Sequence, residues 1–434
     1  MFNGLHVLLA FVLLDKLHCL RFRWFSGGRR AEVYQNVASR LQEVYDERLL
    51  PAERASLFHW FHSPELPKAH FSCKPMILTL GQYSTGKTTF IRHIIQQDYP
   101  GMRISQEPTT DRFVVIASGD QRIPGNALIY DPQFPFEDMG KFGNTFLSRF
   151  ECSQVNSSAL EGVTFIDTPG VLSSEEKRSD RGYDFDEVVA YLADRADMIL
   201  FTFDANKLDI SDGLKRCILA ALRNFNFDKV HIILNKADQL TAQQLLGSYG
   251  SLMWSLARVV STPEAARVFV GSFWDRPMQN NEFSELFLHE EQELYDSINK
   301  LPRSASLRKI NDFARRARFV KAHMVLEGHM VTAKPWLAKL KWWKATVAET
   351  LPEIYRDLAD EHNIPIGDFP NVDKMRTKLQ QMDVARFKKM RRVDERKLKQ
   401  IDEVLSVDIP ALLQTVPEEG DYDAEVVPNF SNRM

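Results

Sequence analysis

The apolar run Met76-Ile-Leu-Thr-Leu80 leads straight into Gly81-Gln-Tyr-Ser-Thr-Gly-Lys-Thr-Thr-Phe90, and apolar residues at helical spacing follow: Phe90, Ile91, Ile94 and Ile95. That order predicts strand, phosphate loop and helix. The spacing Gly81-x4-Gly86-Lys87-Thr88 suits phosphate for two reasons. Glycines let successive backbone N–H groups turn toward phosphate oxygens, and the helix N-terminus adds a favourable dipole. In this reading Lys87 neutralises β/γ-phosphate charge and Thr88 offers a hydroxyl to Mg²⁺, while Tyr83, Ser84, Thr85 and Thr89 complete the loop. The plainer alternative is a glycine-containing strand-to-helix turn.

Two further motifs follow in the order a nucleotide-binding α/β unit requires. Val163-Thr-Phe-Ile-Asp167 is a buried-strand pattern that ends on an acidic residue and continues into Thr168-Pro-Gly170. Asp167 is placed to reach a Mg²⁺ shell, and the Gly170 N–H to meet a γ-phosphate. Val230-His-Ile-Ile-Leu-Asn235-Lys-Ala-Asp238 puts Asn-Lys-x-Asp at the end of another apolar strand. There the Asp238 carboxylate would accept from a base edge while the Lys236 stem covers the ring. Either motif alone reads equally as a turn or a helix cap. Three in sequence, each at the C-terminal end of a strand, mark the edge where open α/β sheets bind ligands.

At 434 residues the chain exceeds the size of a single core, so more than one structural unit is expected. The formal net charge of −3 supplies no global attraction to nucleic acid, and no nucleic-acid partner is expected; any anionic membrane must be met by a local basic patch. Cys19, Cys73, Cys152 and Cys217 are scattered without CxxC pairing, which suggests neither a disulfide framework nor a zinc site. Near the N-terminus, Leu5 to Leu14 is an apolar run too short to span a bilayer as a helix. The basic residues Arg21, Arg23, Arg29 and Arg30 follow it rather than precede it. It reads as an interfacial segment or a dispensable extension, with a secretory signal as the alternative.

The expected organisation is an α/β fold with a mostly parallel sheet, joined to an all-α domain formed from segments before and after it. Residues 1–21 form the hydrophobic extension and 22–69 the N-terminal helices. The nucleotide-binding unit covers 70–285, with strands at Phe113–Ala117, Val163–Ile166, Met198–Phe203, Val230–Leu234 and Arg267–Val270. Residues 286–415 complete the helical domain, with helices near 286–300, 303–331, 344–362, 371–383 and 385–408. Residues 416–434 are an acidic tail whose composition predicts disorder.

Lys334-Pro-Trp-Leu-Ala-Lys-Leu-Lys-Trp-Trp-Lys344 stands apart from these helices. Trp336, Leu337, Trp342 and Trp343 supply apolar surface, and Lys334, Lys339, Lys341 and Lys344 surround it with positive charge. Tryptophan favours the headgroup boundary, and each lysine near an anionic leaflet contributes roughly 1 kcal/mol. The competing reading packs the tryptophans into the helical core.

With these residues in view, the chain resembles the EHD family, the dynamin-related, C-terminal-EH-domain ATPases that remodel membranes. The strings that carry the resemblance include Phe58-His-Trp-Phe-His-Ser-Pro64, Gly81 to Ile91, Glu107-Pro-Thr-Thr-Asp111, Phe142-Gly-Asn-Thr-Phe-Leu147, Asp167-Thr-Pro-Gly170, Arg181-Gly-Tyr-Asp-Phe185, Asn235-Lys-Ala-Asp-Gln239 and Gly271-Ser-Phe-Trp274. The similarity runs from about Arg23 to about Leu413. It implies a dynamin-type G domain with a membrane-binding helical tip near 334–344, and slow Mg²⁺-dependent hydrolysis in endocytic or recycling traffic. It also implies peripheral cytoplasmic placement on endosomal or plasma membrane; a sarcalumenin-like luminal protein is the alternative if the N-terminal run is a signal.

Residue by residue, the resemblance makes Thr110 the switch threonine over Mg²⁺ and Trp274 part of the nucleotide pocket. Trp254 falls at the family's dimer interface, and Phe136 lies in an apolar loop that helps to build the ring oligomer. Val171 stands where many small GTPases place a water-orienting Gln, so nothing there aligns the attacking water. The Asn235-Lys-x-Asp238 motif says guanine, whereas the family is similar to ATP users; ATP is the expected nucleotide and GTP the alternative. No EH domain is expected after Leu413, so Asn-Pro-Phe partners are not implied.

Overall fold

The computed structural model describes residues 27–102, 112–171, 181–208, 210–223, 227–260, 267–332, 340–390, 392 and 394–416. The chain divides into two compact units: Met1–Glu32 with Cys73–Ala305, and Val33–Ser72 with Ser306–Met434.

The first unit is built on a sheet of eight strands: β1 (Met76–Gly81), β2 (Phe113–Ala117), β3 (Arg122–Pro124), β4 (Phe150–Gln154), β5 (Thr164–Asp167), β6 (Met198–Asp204), β7 (Val230–Asn235) and β8 (Val268–Val270). Their spatial order is β3-β4-β2-β5-β1-β6-β7-β8. β1 pairs in parallel with β5 and β6, β7 continues the parallel run to β8, and antiparallel pairing is confined to β2 against β5 and β3 against β4. Alternation along β1 explains how both faces are covered. Met76, Leu78 and Leu80 enter one apolar cluster, and Ile77 enters the other. Such two-faced burial accounts for the continuous apolar runs that made these strands legible.

Two strands lie outside those expectations. β3 is only three residues long and largely exposed, and β4 carries Glu151 in its middle. That glutamate is buried because Arg112 and Arg122 each reach its Oε2 at 2.9 Å, a pairing no local pattern reveals. Phe136 also departs from its expected place at an oligomer surface. Its ring is fully buried, stacked on Phe134 at 5.7 Å and edge-on to Phe150 at 5.3 Å, so it is a core residue. The exposed aromatic of this region is Tyr130.

In the second unit, helices from before and after the sheet share cores. Val37, Leu41, Tyr45 and Leu49 pack with Ile310, Phe313, Ile401 and Ile409. A second cluster joins Phe61 to Leu326, Leu351, Leu358 and Phe387. Buried Glu53 is satisfied here by the Arg316 guanidinium, at 2.6 Å to Oε1 and 3.0 Å to Oε2, and by the Tyr45 hydroxyl at 3.0 Å. The helix break expected at Leu301-Pro302 does not occur. Ser284–Thr332 is one helix through Pro302, because Ile298, Leu301 and Ala305 on either side of the proline are buried and hold the backbone helical. The expected 385–408 helix is instead divided into Val384–Lys389 and Glu395–Glu403, the second capped by Asp394.

Trp343 belongs to this core as well. It is 3% exposed, with its ring 5.2 Å from Phe387, which corrects its assignment to a membrane-facing patch. Lys344 donates to the carbonyls of Gln380 and Met382, where a cation opposes the dipole at the end of helix Val372–Gln381. Lys334, Trp336, Leu337 and Lys339 lie outside the described residues, as do the side chains of Lys341 and Trp342.

A histidine pair sits within the second unit. His323 Nε2 donates to the Ser56 carbonyl at 2.8 Å, so its Nδ1 accepts from His62 Nε2 at 3.0 Å. Burial lowers His323 to about 4; it lowers His62 to about 3, with the neighbouring His323 adding to the shift. The unfolded chain therefore binds protons that the folded unit refuses. Stability should fall as pH drops below about 6.5, by up to ~1.4 kcal/mol per pH unit for His323 until pH approaches its folded value. Urea unfolding of the full chain at pH 7.5, 6, 5 and 4.5 checks this, and a flat profile in that window would exclude it.

Candidate nucleotide site

β1 ends at Gly81 with φ 156°, and the loop then turns through Ser84 (φ 65°) and Gly86 (φ 97°) into the helix Lys87–Ile95. The glycines are sterically required. A Cβ on Gly81 would lie 2.3 Å from the Thr202 carbonyl, and one on Gly86 would lie 2.4 Å from Asn235 Nδ2. Lys87 folds back over the loop, donating to the carbonyls of Gly81 at 3.1 Å and Gln82 at 2.9 Å. Burial lowers its ammonium to about 8, against the opposing pull of Asp167. Thr85 Oγ1 braces the loop by donating to the Gln82 carbonyl at 3.1 Å, and Thr89 sits half-buried on the helix behind it.

Asp167, at the end of β5, is wholly buried. Its Oδ2 accepts from Thr88 Oγ1 at 2.6 Å and from the Tyr99 hydroxyl at 3.1 Å. Oδ1 is buried with no hydrogen bond of good geometry, although the Thr168 N–H assists electrostatically. Desolvation raises the Asp167 pKa, opposed by the Thr88 hydroxyl, Lys87 and Tyr99. A hydroxyl and a carboxylate with a spare buried oxygen are hard donors that suit Mg²⁺. Among the described residues no group of three His, Cys, Asp or Glu side chains could hold a metal. Mg²⁺ bound largely through substrate phosphates and water needs no such cage.

The residues after β5 are held close to the loop. Val171 N donates to the Gly81 carbonyl at 3.0 Å, and a Cβ on Gly170 would meet Tyr83 Cα at 2.7 Å. Arg181 Nη2 donates to the Gly170 carbonyl at 2.7 Å, which fixes the peptide after Asp167-Thr168-Pro169. The Val171 side chain is buried in the core.

At the other end of the site, Asn235 bridges three segments. Its Nδ2 donates to the Thr85 carbonyl at 3.0 Å, and its Oδ1 accepts from the N–H groups of Lys236 and Phe273. Lys236, in the left-handed region at φ 61°, reaches the Ser84 carbonyl and Asp204 Oδ2, both at 2.6 Å. Asp238 is 1% exposed; Ser272 Oγ donates to its Oδ1 at 2.6 Å and Gln279 N to its Oδ2 at 3.0 Å. Trp274 follows on the same loop, with a buried indole N–H that finds no acceptor.

One cleft edge thus gathers Gly81, Tyr83, Ser84, Thr85, Gly86, Lys87, Thr88, Thr89, Asp167 and Gly170, and the Asn235–Asp238 turn and Trp274 loop adjoin it. Thr110 lies outside the described residues. Tyr99 and Asp204 were not singled out from sequence. Their roles appear only when Asp167 and Lys236 are seen beside them. Trp254 lies elsewhere, 70% exposed on helix Ala242–Val259.

Because Lys87 must be protonated to hold phosphate and its own environment lowers it to about 8, nucleotide affinity should weaken as pH rises through that value. Calorimetric Kd between pH 7.5 and 9.5 should rise by up to about tenfold per pH unit above pH 8. A pH-independent Kd would mean that Lys87 does not carry the phosphate charge.

Comparison with known proteins accords with this geometry. The model of the Dynamin family matches residues 77–237, that of the N-terminal EH-domain containing protein matches 40–72, and a Domain of unknown function (DUF5600) matches 304–413. EH domain-containing protein 1 of Bos taurus is 45% identical over 413 residues, covering 94% of this chain and 76% of the relative. EH domain-containing protein 3 of Homo sapiens is 46% identical over 404 residues, covering 92% and 75% respectively. A solved bacterial dynamin pair described as tethering membranes aligns at 14% identity and a TM-score of 0.36, over 76% of this chain and 54% of that one, a likeness that carries no argument. The chain belongs to the EH domain-containing family of dynamin-related proteins.

Proposed function

We propose that the chain is a slow, Mg²⁺-dependent ATPase that dimerises and assembles on anionic membranes and remodels them. The observation that carries the reading is the convergence of buried Lys87 and Asp167 with half-buried Thr88 at the phosphate loop. In the proposed reaction Lys87 would stabilise charge on the leaving phosphates, Thr88 and Thr110 would hold Mg²⁺, and the Asp167 carboxylate would accept from a water in its shell. Gly170 offers its N–H to the γ-phosphate. Bound there, Mg²⁺ would supply positive charge against the charge developing on the phosphates. Val171 provides no group to align the attacking water, which makes turnover slow.

ATP is proposed as the nucleotide because the family this chain resembles is similar to ATP users. Ser272 and Gln279 each give Asp238 one hydrogen bond, which leaves both carboxylate oxygens able to accept again and does not discriminate against guanine. The Asn235-Lys-x-Asp238 motif itself keeps GTP as the second reading.

A dimer is supported by an exposed apolar stripe on helix Ala242–Val259. Leu246 and Trp254 are 75% and 70% exposed, and the space beside Gly247 and Gly250 is open. Membrane contact is assigned to Lys334, Trp336, Leu337, Lys339, Lys341 and Trp342, without Trp343. No helix among the described residues is long and apolar enough to cross a membrane. Peripheral attachment on the cytoplasmic side of endosomal or plasma membrane is proposed from kinship with the EH domain-containing proteins.

Turnover of the full chain with anionic liposomes tests this reading. ATP hydrolysis should be slow alone, rise severalfold on liposomes and exceed GTP hydrolysis; Trp254→Ala should lower both the stimulation and the dimer fraction in sedimentation. Absence of turnover with either nucleotide would refute the enzyme, and equal stimulation in Trp254→Ala would remove that helix from the interface.

A further inference from the structure

Three segments of the first unit meet at one buried imidazole. His93 lies near the end of the phosphate-loop helix, 2% exposed. Its Nδ1 is 3.0 Å from Asp275 Oδ1, on the residue after Trp274, and its Nε2 is 2.9 Å from Glu291 Oε1, on the helix that begins at Ser284. The same Glu291 oxygen accepts the Tyr295 hydroxyl at 2.8 Å. Ionised carboxylates only accept hydrogen bonds, so with Glu291 and Asp275 ionised the Nε2 and Nδ1 positions must both donate. Both ring nitrogens therefore carry protons, and a cationic imidazole is held between two acidic groups. Arg92 stands beside it, 2.7 Å from Asp98 and 3.9 Å from Asp275 Oδ2.

From this geometry we propose that His93 is a positioning residue that ties the loop Gly271–Asp275 to the phosphate-loop helix and so sets affinity for the base of a bound nucleotide. The inference rests on reading the cleft as a nucleotide site. The loop it tethers carries Ser272 and Phe273, which fasten Asp238 and Asn235, together with Trp274. That loop also packs on the phosphate-loop helix through Phe273, edge-on to Phe90 at 5.3 Å and 6.5 Å from His93. Phosphate contacts lie at the opposite end of that helix, around Lys87 and Thr88. Loss of the imidazolium should therefore loosen the base loop and spare the phosphate loop.

The test measures binding of ATP, GTP and inorganic tripolyphosphate to the full-length wild type, His93→Gln and Asp275→Asn. The Asp275 side chain is 51% exposed, so Asp275→Asn removes the charge of the tether, leaving at most a neutral hydrogen bond, without disturbing the core. Both variants should lose about tenfold or more in affinity for the nucleotide the wild type prefers, and less than twofold for tripolyphosphate. In ¹⁵N spectra of the wild type near pH 7, both His93 ring nitrogens should be protonated. Wild-type affinity in Asp275→Asn, equal loss for tripolyphosphate, or a neutral His93 ring would overturn the inference. If the wild type binds tripolyphosphate but no nucleotide, or nothing at all, the reading of the site itself fails and this inference falls with it.

Discussion

The Asp167 carboxylate is the constraint around which the first unit is organised. It ends β5, beside the central strand β1, and is removed from water entirely. A charge in that position is costly unless donors and cations surround it. Thr88 and Tyr99 donate to it and Lys87 lies close enough to lower its pKa, while burial pushes the other way. These partners are what a phosphate and metal site also requires, so the electrostatic needs of the fold and those of the proposed chemistry coincide. The close approach of Gly170 to Tyr83 and the clasp of Val171 on Gly81 keep the strand ends in register with the loop.

The elements that sequence revealed are those whose information is local. Continuous apolar runs predicted β1, β2, β5, β6, β7 and β8 because parallel strands covered on both faces lack alternation. The glycine and lysine spacing located the phosphate loop because backbone geometry dictates it. Burial of individual aromatics was not local. Phe136 was placed at a surface by the family resemblance and Trp343 by its basic neighbours, yet Phe134 and Phe150 close over one and Phe387 over the other. β4 escaped notice because its Glu151 looks polar until Arg112 and Arg122 are seen to reach it. Tyr99, Asp204 and His93 were invisible for the same reason, their partners being distant in sequence.

The second unit follows a different logic. Its order comes from apolar clusters shared between helices far apart in the chain, pinned by Arg316 on buried Glu53. Around that core, Lys344 and Trp343 serve the fold, which leaves the rest of the Trp/Lys segment as the proposed membrane contact. The two units differ in what orders them: a sheet edge, proposed to hold phosphate, built around buried charge, and a helical body held together by apolar packing.

The central claim is that the Gly81–Thr88 loop holds a nucleotide through Lys87. Calorimetric titration of ATP and GTP into wild type and Lys87→Ala tests it most directly, with thermal unfolding to verify that the variant remains folded. The account predicts saturable binding in the wild type and none measurable in the variant. Unchanged affinity in a folded Lys87→Ala protein would contradict it.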